Sequence, residues 1–184
     1  MFARTPRLLL RPGWREDAPA LARAIGDEAV IRNLAYAPWP YGLADAEEFL
    51  ARTPDPRHPH LLVFARTRGA PRLVGGIGLG PARDGGAPEL GYWIARPFWG
   101  LGFATEAGRA FVAGVKDSLK IRRLSASHML DNPASGHVLR KLGFRPTGRI
   151  ITRFSSGRGT DVDCAQFEQG MGSDATDDMR CLAA

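Results

Sequence analysis

The sequence predicts a mixed α/β domain in which helices cover a largely antiparallel sheet. Three observations carry this. Short apolar runs and helically spaced segments follow one another in the order strand, helices, three strands, helix, strand, helix, two strands. No internal repeat and no second core interrupts that order. The 184 residues, 44% hydrophobic and 24% charged, are enough for one domain that buries its own core without staples.

Each element follows from the chain in turn. Leu8-Leu9-Leu10 is a continuous apolar run stopped by Arg11-Pro12-Gly13, a first strand. From Glu16 to Ile25 the residues Ala18, Leu21, Ala22 and Ile25 recur at helical spacing, and a second helical patch runs from Ala29 to Ala35. Pro38-Trp39-Pro40-Tyr41-Gly42 is a loop on its breaker content. Leu43 to Arg52 returns to a helix with Ala46, Phe49 and Leu50 on one face. A meander follows: strands at Leu61 to Thr67, Leu73 to Leu79 and Glu89 to Ala95, joined by the turn Arg68-Gly69-Ala70-Pro71 and a polar turn at Arg83 to Ala87. Gly102 to Lys116 is a helix that turns Ala104, Ala107, Phe111 and Val115 to one side. Arg123 to Met129 is a strand, Pro133 to Leu142 a helix stopped by Gly143, and Ile150 to Phe154 with Asp163 to Phe167 a last hairpin. Residues 1–170 form the domain; 171–184, small and polar, are expected to be a loose tail.

Composition excludes several classes. Twenty-five Lys+Arg against 19 Asp+Glu give a net charge of +6, but the arginines are scattered, so no nucleic-acid partner is expected. Cys164 and Cys181 make neither a disulfide framework nor a metal-ligand spacing, and no metal is expected. No apolar run approaches the roughly 20 residues that span a bilayer, and Leu8-Leu9-Leu10 is too short for a signal peptide. The expected location is the cytoplasm.

The chemistry concentrates in Trp99-Gly100-Leu101-Gly102-Phe103-Ala104-Thr105-Glu106-Ala107, which follows a strand and opens a helix. Glycines let main-chain N–H groups approach a ligand, the helix N-terminus adds partial positive charge, and Ala104 keeps the first turn thin; together these suit a phosphate or diphosphate. A dinucleotide fingerprint needs a third glycine where Thr105 stands, and a P-loop needs a Gly-Lys-Ser/Thr triplet the chain lacks. A diphosphate cradle of the acetyltransferase kind remains.

The sequence resembles the GNAT acetyltransferase superfamily, and within it the ribosomal-protein-alanine N-acetyltransferase branch. The resemblance rests on Thr5 to Arg11, Glu89-Leu90-Gly91-Tyr92-Trp93-Ile94, Trp99 to Ala107, Asn132-Pro133-Ala134-Ser135 and Leu142-Gly143-Phe144, in this order. It implies the GNAT fold, with the central sheet splayed between the fourth and fifth predicted strands, and acetyl-CoA as co-substrate. Trp99 stands where the superfamily usually carries Gln or Arg. By the same likeness the N–H groups of Leu101, Gly102, Phe103, Ala104 and Thr105 hold the diphosphate. Edge N–H and C=O groups of Ile94 and Arg96 pair with the pantetheine arm, and N–H of Ile94 or Ala95 faces the acetyl oxygen. The Arg96 side chain meets a phosphate or is a solvated strand end.

Asn132 before Pro133 is a helix cap on its own merits; the resemblance adds contact with acetyl-CoA. Many relatives carry a tyrosine acid where this chain has Leu139, which has no proton to give, and Ser135 is the substitute donor to the departing thiolate. Glu89 is the candidate base, directly or through water, or else a solvated strand-end carboxylate. Glu106 is expected to be structural. His58 and His60, at the Pro-rich loop Pro56 to Pro59, line an acceptor site or bind a metal, the second disfavoured for two isolated histidines; His128 is a base or a hydrogen-bonded strand-end residue. His137, Arg140 and Lys141 form a solvated face or reach the 3′-phosphate. Trp39, Tyr41 and Phe49 shape an acceptor pocket or fill core.

The expected activity is transfer of an acetyl group from acetyl-CoA to a primary amine, first a protein N-terminal amine. A small-molecule amine (polyamine, amino acid or antibiotic) and a non-catalytic acyl-CoA-binding module are the alternatives; a homodimer is left open.

Overall fold

One eight-stranded sheet organises the chain, in the spatial order β1-β2-β3-β4-β5-β6-β8-β7. The computed structural model describes residues 1–81 and 86–170. The strands are β1 (Ala3–Arg4), β2 (Leu8–Arg11), β3 (His60–Ala65), β4 (Arg72–Gly80), β5 (Glu89–Ile94), β6 (Arg123–Met129), β7 (Arg145–Ser155) and β8 (Thr160–Gly170). The helices are α1 (Ala18–Ile25), α2 (Glu28–Ile31), α3 (Leu43–Ala51), α4 (Phe103–Leu119) and α5 (Pro133–Lys141). Neighbouring strands are antiparallel except β5 and β6, which are parallel.

Where the sequence suggests a single core, strand alternation sorts side chains to two hydrophobic clusters, one on each face of the sheet. On one side, Val63, Ile77, Leu79, Leu90, Leu124 and Ala126 pack against Ala107, Phe111 and Val115 of α4 and Leu139 of α5. On the other, Leu62 and Phe64 pack against Leu21, Ile25 and Ala46 of α1 and α3. Trp93 lies at the edge of that second core, its indole over Gly76, while the His60 ring lies over Gly78. A Cβ at Gly76 would stand 2.6 Å from the indole nitrogen, so the glycines of β4 are recesses for these rings.

The parallel pairing of β5 with β6 is brief. Only Glu89↔Ser125 and Leu90↔Ala126 are in register, and beyond Leu90 the strands part. This is the expected splay, now between the fifth and sixth strands because β1 precedes the others. Two residues leave no period to read, so β1 escapes sequence analysis.

Two expectations are corrected. The helical patch at Ala29 to Ala35 shrinks to α2, Glu28–Ile31. The main chain after it is drawn out of the helix: Leu34 O accepts from Ser155 Oγ at 3.0 Å and Ala35 O from Ser156 N at 2.9 Å. The last hairpin is longer than its apolar stretches, at 11 residues per strand. Ile150 and Phe154 are exposed there (62% and 59%), so polar neighbours hide the pattern. The expected turn at Arg83 to Ala87 falls partly, and the tail with Cys181 wholly, outside the described residues.

Candidate active site

The glycine bend sits where β5 leads into α4. Gly100 and Gly102 have φ of +76° and +78°, a region costly for other residues. A Cβ at Gly100 would meet no atom within 4 Å, and one at Gly102 only Arg7 Nη2 at 3.6 Å. Gly100, Leu101 and Gly102 are exposed, and the side chain beside the bend is Arg7. Gly102 caps α4, and the first intrahelical bond is Glu106 N to Gly102 O at 3.1 Å. The N–H groups of Phe103, Ala104 and Thr105 precede that bond and point out of the helix end, with the partial positive charge of α4 behind them.

Trp99 explains how a tryptophan serves at the head of this bend. Its indole N–H donates to Ile94 O at 2.6 Å, tying the bend to the end of β5. That bond alters two expectations. The Ile94 carbonyl is already an acceptor, and the Arg96 carbonyl accepts from Trp99 N at 3.2 Å, so neither main-chain oxygen is an idle partner for an incoming amide. The Ala95 N–H donates to Val74 O at 2.9 Å and is withdrawn from any oxyanion. Antiparallel alternation then turns the N–H of Ile94 to the parted side. The Arg96 side chain is 64% exposed with its guanidinium 3.7 Å from Asp27, a solvated surface pair.

Glu89 stands at the root of the parting. Its carboxylate accepts from Arg153 Nη1 at 2.6 and 2.8 Å and from Ser127 Oγ at 2.9 Å. Both charged side chains are largely covered, Arg153 at 11% exposure and Glu89 at 16%. Glu89, Gly91 and Trp93 share the α1/α3 face of β5, while Leu90 and Tyr92 face α4 and α5. A Cβ at Gly91 would touch nothing within 4 Å, so the surface beside Glu89 is open.

Ser135 lies on the other face. It is half-buried in the first turn of α5, where Asn132 Oδ1 accepts its N–H at 3.3 Å. Tyr92 crosses from β5 to meet it: the phenol oxygen is 2.8 Å from Ser135 Oγ and 2.9 Å from Ser135 O. Burial pushes the Tyr92 phenol up to about 12, against a smaller opposing effect of the Ser135 hydrogen bond. Sequence reasoning passed over Tyr92; its polar tip on an otherwise apolar face, Leu90-Tyr92-Ile94, was the available signal. Leu139 is fully buried in the core.

Three of the four histidines are held by neighbouring groups. His58 Nδ1 is 2.9 Å from Asp55 Oδ2. His60 packs edge-on to Phe49, and burial lowers its pKa. His128 Nδ1 is 2.8 Å from Met129 O, and its ring packs on Gly136 and Phe167. His137 and Lys141 are exposed, and Arg140 lies over the Phe167 ring. Tyr41 packs at the edge of the second core, while Trp39 is 43% exposed. None of the described helices is long and apolar enough to cross a membrane.

An open glycine bend at a helix N-terminus beside two parted strands fits a diphosphate with an extended arm. Comparison with known proteins agrees. The uncharacterised N-acetyltransferase YoaA of Bacillus subtilis is 27% identical over 169 residues, covering 86% of this chain and 90% of its own. The fold matches the microcin C7 self-immunity acetyltransferase MccE, solved with acetyl-CoA and AMP, at a TM-score of 0.76 and 18% identity over 90% of this chain and 93% of that one. It matches the ribosomal-protein-S5-alanine acetyltransferase of Vibrio fischeri at a TM-score of 0.76 and 14% identity, over 94% and 98%. Residues 7–145 match the acetyltransferase (GNAT) domain, and the chain therefore belongs to this family of acetyl-CoA-dependent acyltransferases.

Proposed function

We propose that this acetyltransferase acts on an α-amine, a protein N-terminus in the first instance. Acetyl-CoA would supply the acetyl group as a thioester; C–N bond formation with the amine would break the C–S bond and release the CoA thiolate. The chain's contribution is to hold and orient. The N–H groups of Leu101 to Thr105 receive the diphosphate, the Ile94 N–H is the main-chain donor on the parted side, and Ser135 offers its hydroxyl to the sulfur.

The observation that carries the choice of amine is the state of Glu89. Both its oxygens are already hydrogen-bonded, to Arg153 and Ser127. What it offers an incoming amine is negative charge and a route for the proton through water. That is sufficient for an α-amine, whose proton costs about 1 kcal/mol to remove at pH 7. A lysine amine would need about 4–5 kcal/mol. The fold is similar to that of a ribosomal-protein-S5-alanine acetyltransferase, which is consistent with a peptide N-terminus as acceptor.

The test is thiol release from acetyl-CoA across a panel of peptides with free and blocked N-termini, polyamines, amino acids and aminoglycosides. Turnover highest with free N-terminal peptides supports the reading. Preference for a polyamine or a lysine-bearing, N-blocked peptide overturns the acceptor. Acetyl-CoA binding with no turnover on any amine supports a binding module instead.

A further inference from the structure

We propose that Tyr92 is a positioning residue for the reaction, acting through Ser135. The proposal rests on the reading of Ser135 given above.

The two residues come from different walls of the parting. Tyr92 is on β5, two residues past the last parallel pair, and Ser135 is in the first turn of α5. The phenol grips Ser135 at two atoms, the main-chain O at 2.9 Å and Oγ at 2.8 Å. Each hydroxyl has one proton. The main-chain oxygen can only accept, so the phenol proton is directed at Ser135 O and, at a similar distance, shared with Oγ as a three-centre bond; Oγ then accepts, and its own O–H is left to turn toward the parting. A hydroxyl whose oxygen accepts a hydrogen bond becomes a stronger donor in turn. Ser135 alone is a weak stabiliser of a developing thiolate; Ser135 backed by the Tyr92 phenol is stronger and fixed in direction. The chain thus keeps a phenol at this step although the α5 position that carries one in many relatives is Leu139. No proton changes hands between the two residues, so the pair ends each turnover as it began.

A mere packing role for Tyr92 makes a different prediction, and a double-mutant cycle separates the two. Tyr92→Phe keeps the ring and removes only the oxygen. The expected result is a fall in kcat of about tenfold, the size of one well-placed hydrogen bond. KM for acetyl-CoA should stay within about twofold, because the bond acts only when the thiolate forms. In a Ser135→Ala background the same change should alter kcat less than about twofold, since the group through which Tyr92 acts is gone. Thermal midpoints and calorimetric acetyl-CoA affinities of all four proteins are measured alongside, so that a folding defect is recognised as such.

Full and independent losses in the two backgrounds overturn the proposal, as does a Tyr92→Phe protein with unchanged kcat. If Ser135→Ala itself leaves kcat intact, the reading of Ser135 fails and Tyr92 falls with it. If Ser135→Ala is slow and Tyr92→Phe is not, only the Tyr92 proposal fails. A loss in Tyr92→Phe that tracks a weakened acetyl-CoA affinity assigns Tyr92 to the shape of the cleft and rejects the positioning role.

Discussion

Glu106 and Arg7 lock the start of the chain to the first turn of α4. Arg7 Nε donates to Glu106 Oε2 at 2.6 Å while the Arg7 main-chain N–H and Thr5 Oγ1 donate to Oε1 at 3.1 and 2.5 Å. Arg7 Nη1 also donates to Leu101 O at 3.0 Å, and its guanidinium stacks over the Phe103 ring at 4.7 Å. Arg7, 94 positions from Leu101 in sequence, therefore ties down the bend through the Leu101 carbonyl.

Replacing Glu106 by Gln should cost about 2 kcal/mol of stability at neutral pH by weakening this charged network. The pH dependence follows from the sign of the shift. Burial works to raise the Glu106 pKa, and the bonds from Thr5 and Arg7 together outweigh it and lower it. Its stabilising share is therefore fully present above about pH 4.3, the unfolded value, and is lost as pH falls through the depressed folded value. Denaturant melts of both proteins should differ by a constant amount from pH 7 to pH 5 and converge in acid. A gap that persists in acid would mean that the Glu106 charge is not the source.

The cradle predicts its own mutants. Gly102→Ala forces a side chain into φ of +78° at a cost of about 1 kcal/mol, with only the tip of Arg7 nearby, so stability falls slightly. Gly102→Glu adds a negative charge where a diphosphate is expected, and acetyl-CoA affinity should drop about a hundredfold, the effect of roughly 3 kcal/mol of partly screened repulsion. Calorimetric titration with acetyl-CoA reads both, and a Glu variant that binds normally would place the diphosphate elsewhere.

These sites differ in how far the sequence discloses them. The bend was legible because Gly100 and Gly102 are unusual residues in a local pattern, and the splay because the family blocks lie in order. The core faces of α1 and α4 were legible because Leu21, Ile25, Phe111 and Val115 repeat at helical spacing. What stayed hidden is carried by partners far apart in the chain. Arg153 reaches Glu89 over 64 positions, and Tyr92 reaches Ser135 over 43. The loss of helix after Ile31 is decided by Ser155 and Ser156, more than 120 residues on. Main-chain commitments such as the Ala95 N–H to Val74 O depend on register, which no side chain announces.

The proposed role of Glu89 can be tested by pH. Glu89→Gln keeps the size and an acceptor oxygen and removes the charge and the proton route. With an N-terminal peptide the variant should be about tenfold slower in kcat/KM at pH 7. An α-amine loses its own proton near pH 8, so by pH 9 the variant should recover to within about threefold of the parent enzyme. A deficit independent of pH would assign Glu89 to its ion pair with Arg153 and remove it from proton handling. The companion change Arg153→Leu strips a largely covered carboxylate of its cation and should destabilise the fold by about 3 kcal/mol.

Asn132 has two jobs that one pair of variants can separate. Its Oδ1 caps α5 by accepting the Ser135 N–H at 3.3 Å, so Asn132→Ala should cost about 1 kcal/mol and let the first turn that carries Ser135 fray. Aspartate caps as well as asparagine, and its charge suits a helix N-terminus, so Asn132→Asp should restore the thermal midpoint. It lacks the amide N–H donors, and its charge would repel a carbonyl-rich arm. If Asn132 also touches acetyl-CoA, as the family resemblance implies, Asn132→Asp should be as stable as the parent and bind acetyl-CoA about tenfold more weakly, the loss of one charged or polar contact. Full recovery of both midpoint and affinity would leave Asn132 as a helix cap alone, and Ser135 would then owe its position to the cap and the Tyr92 phenol.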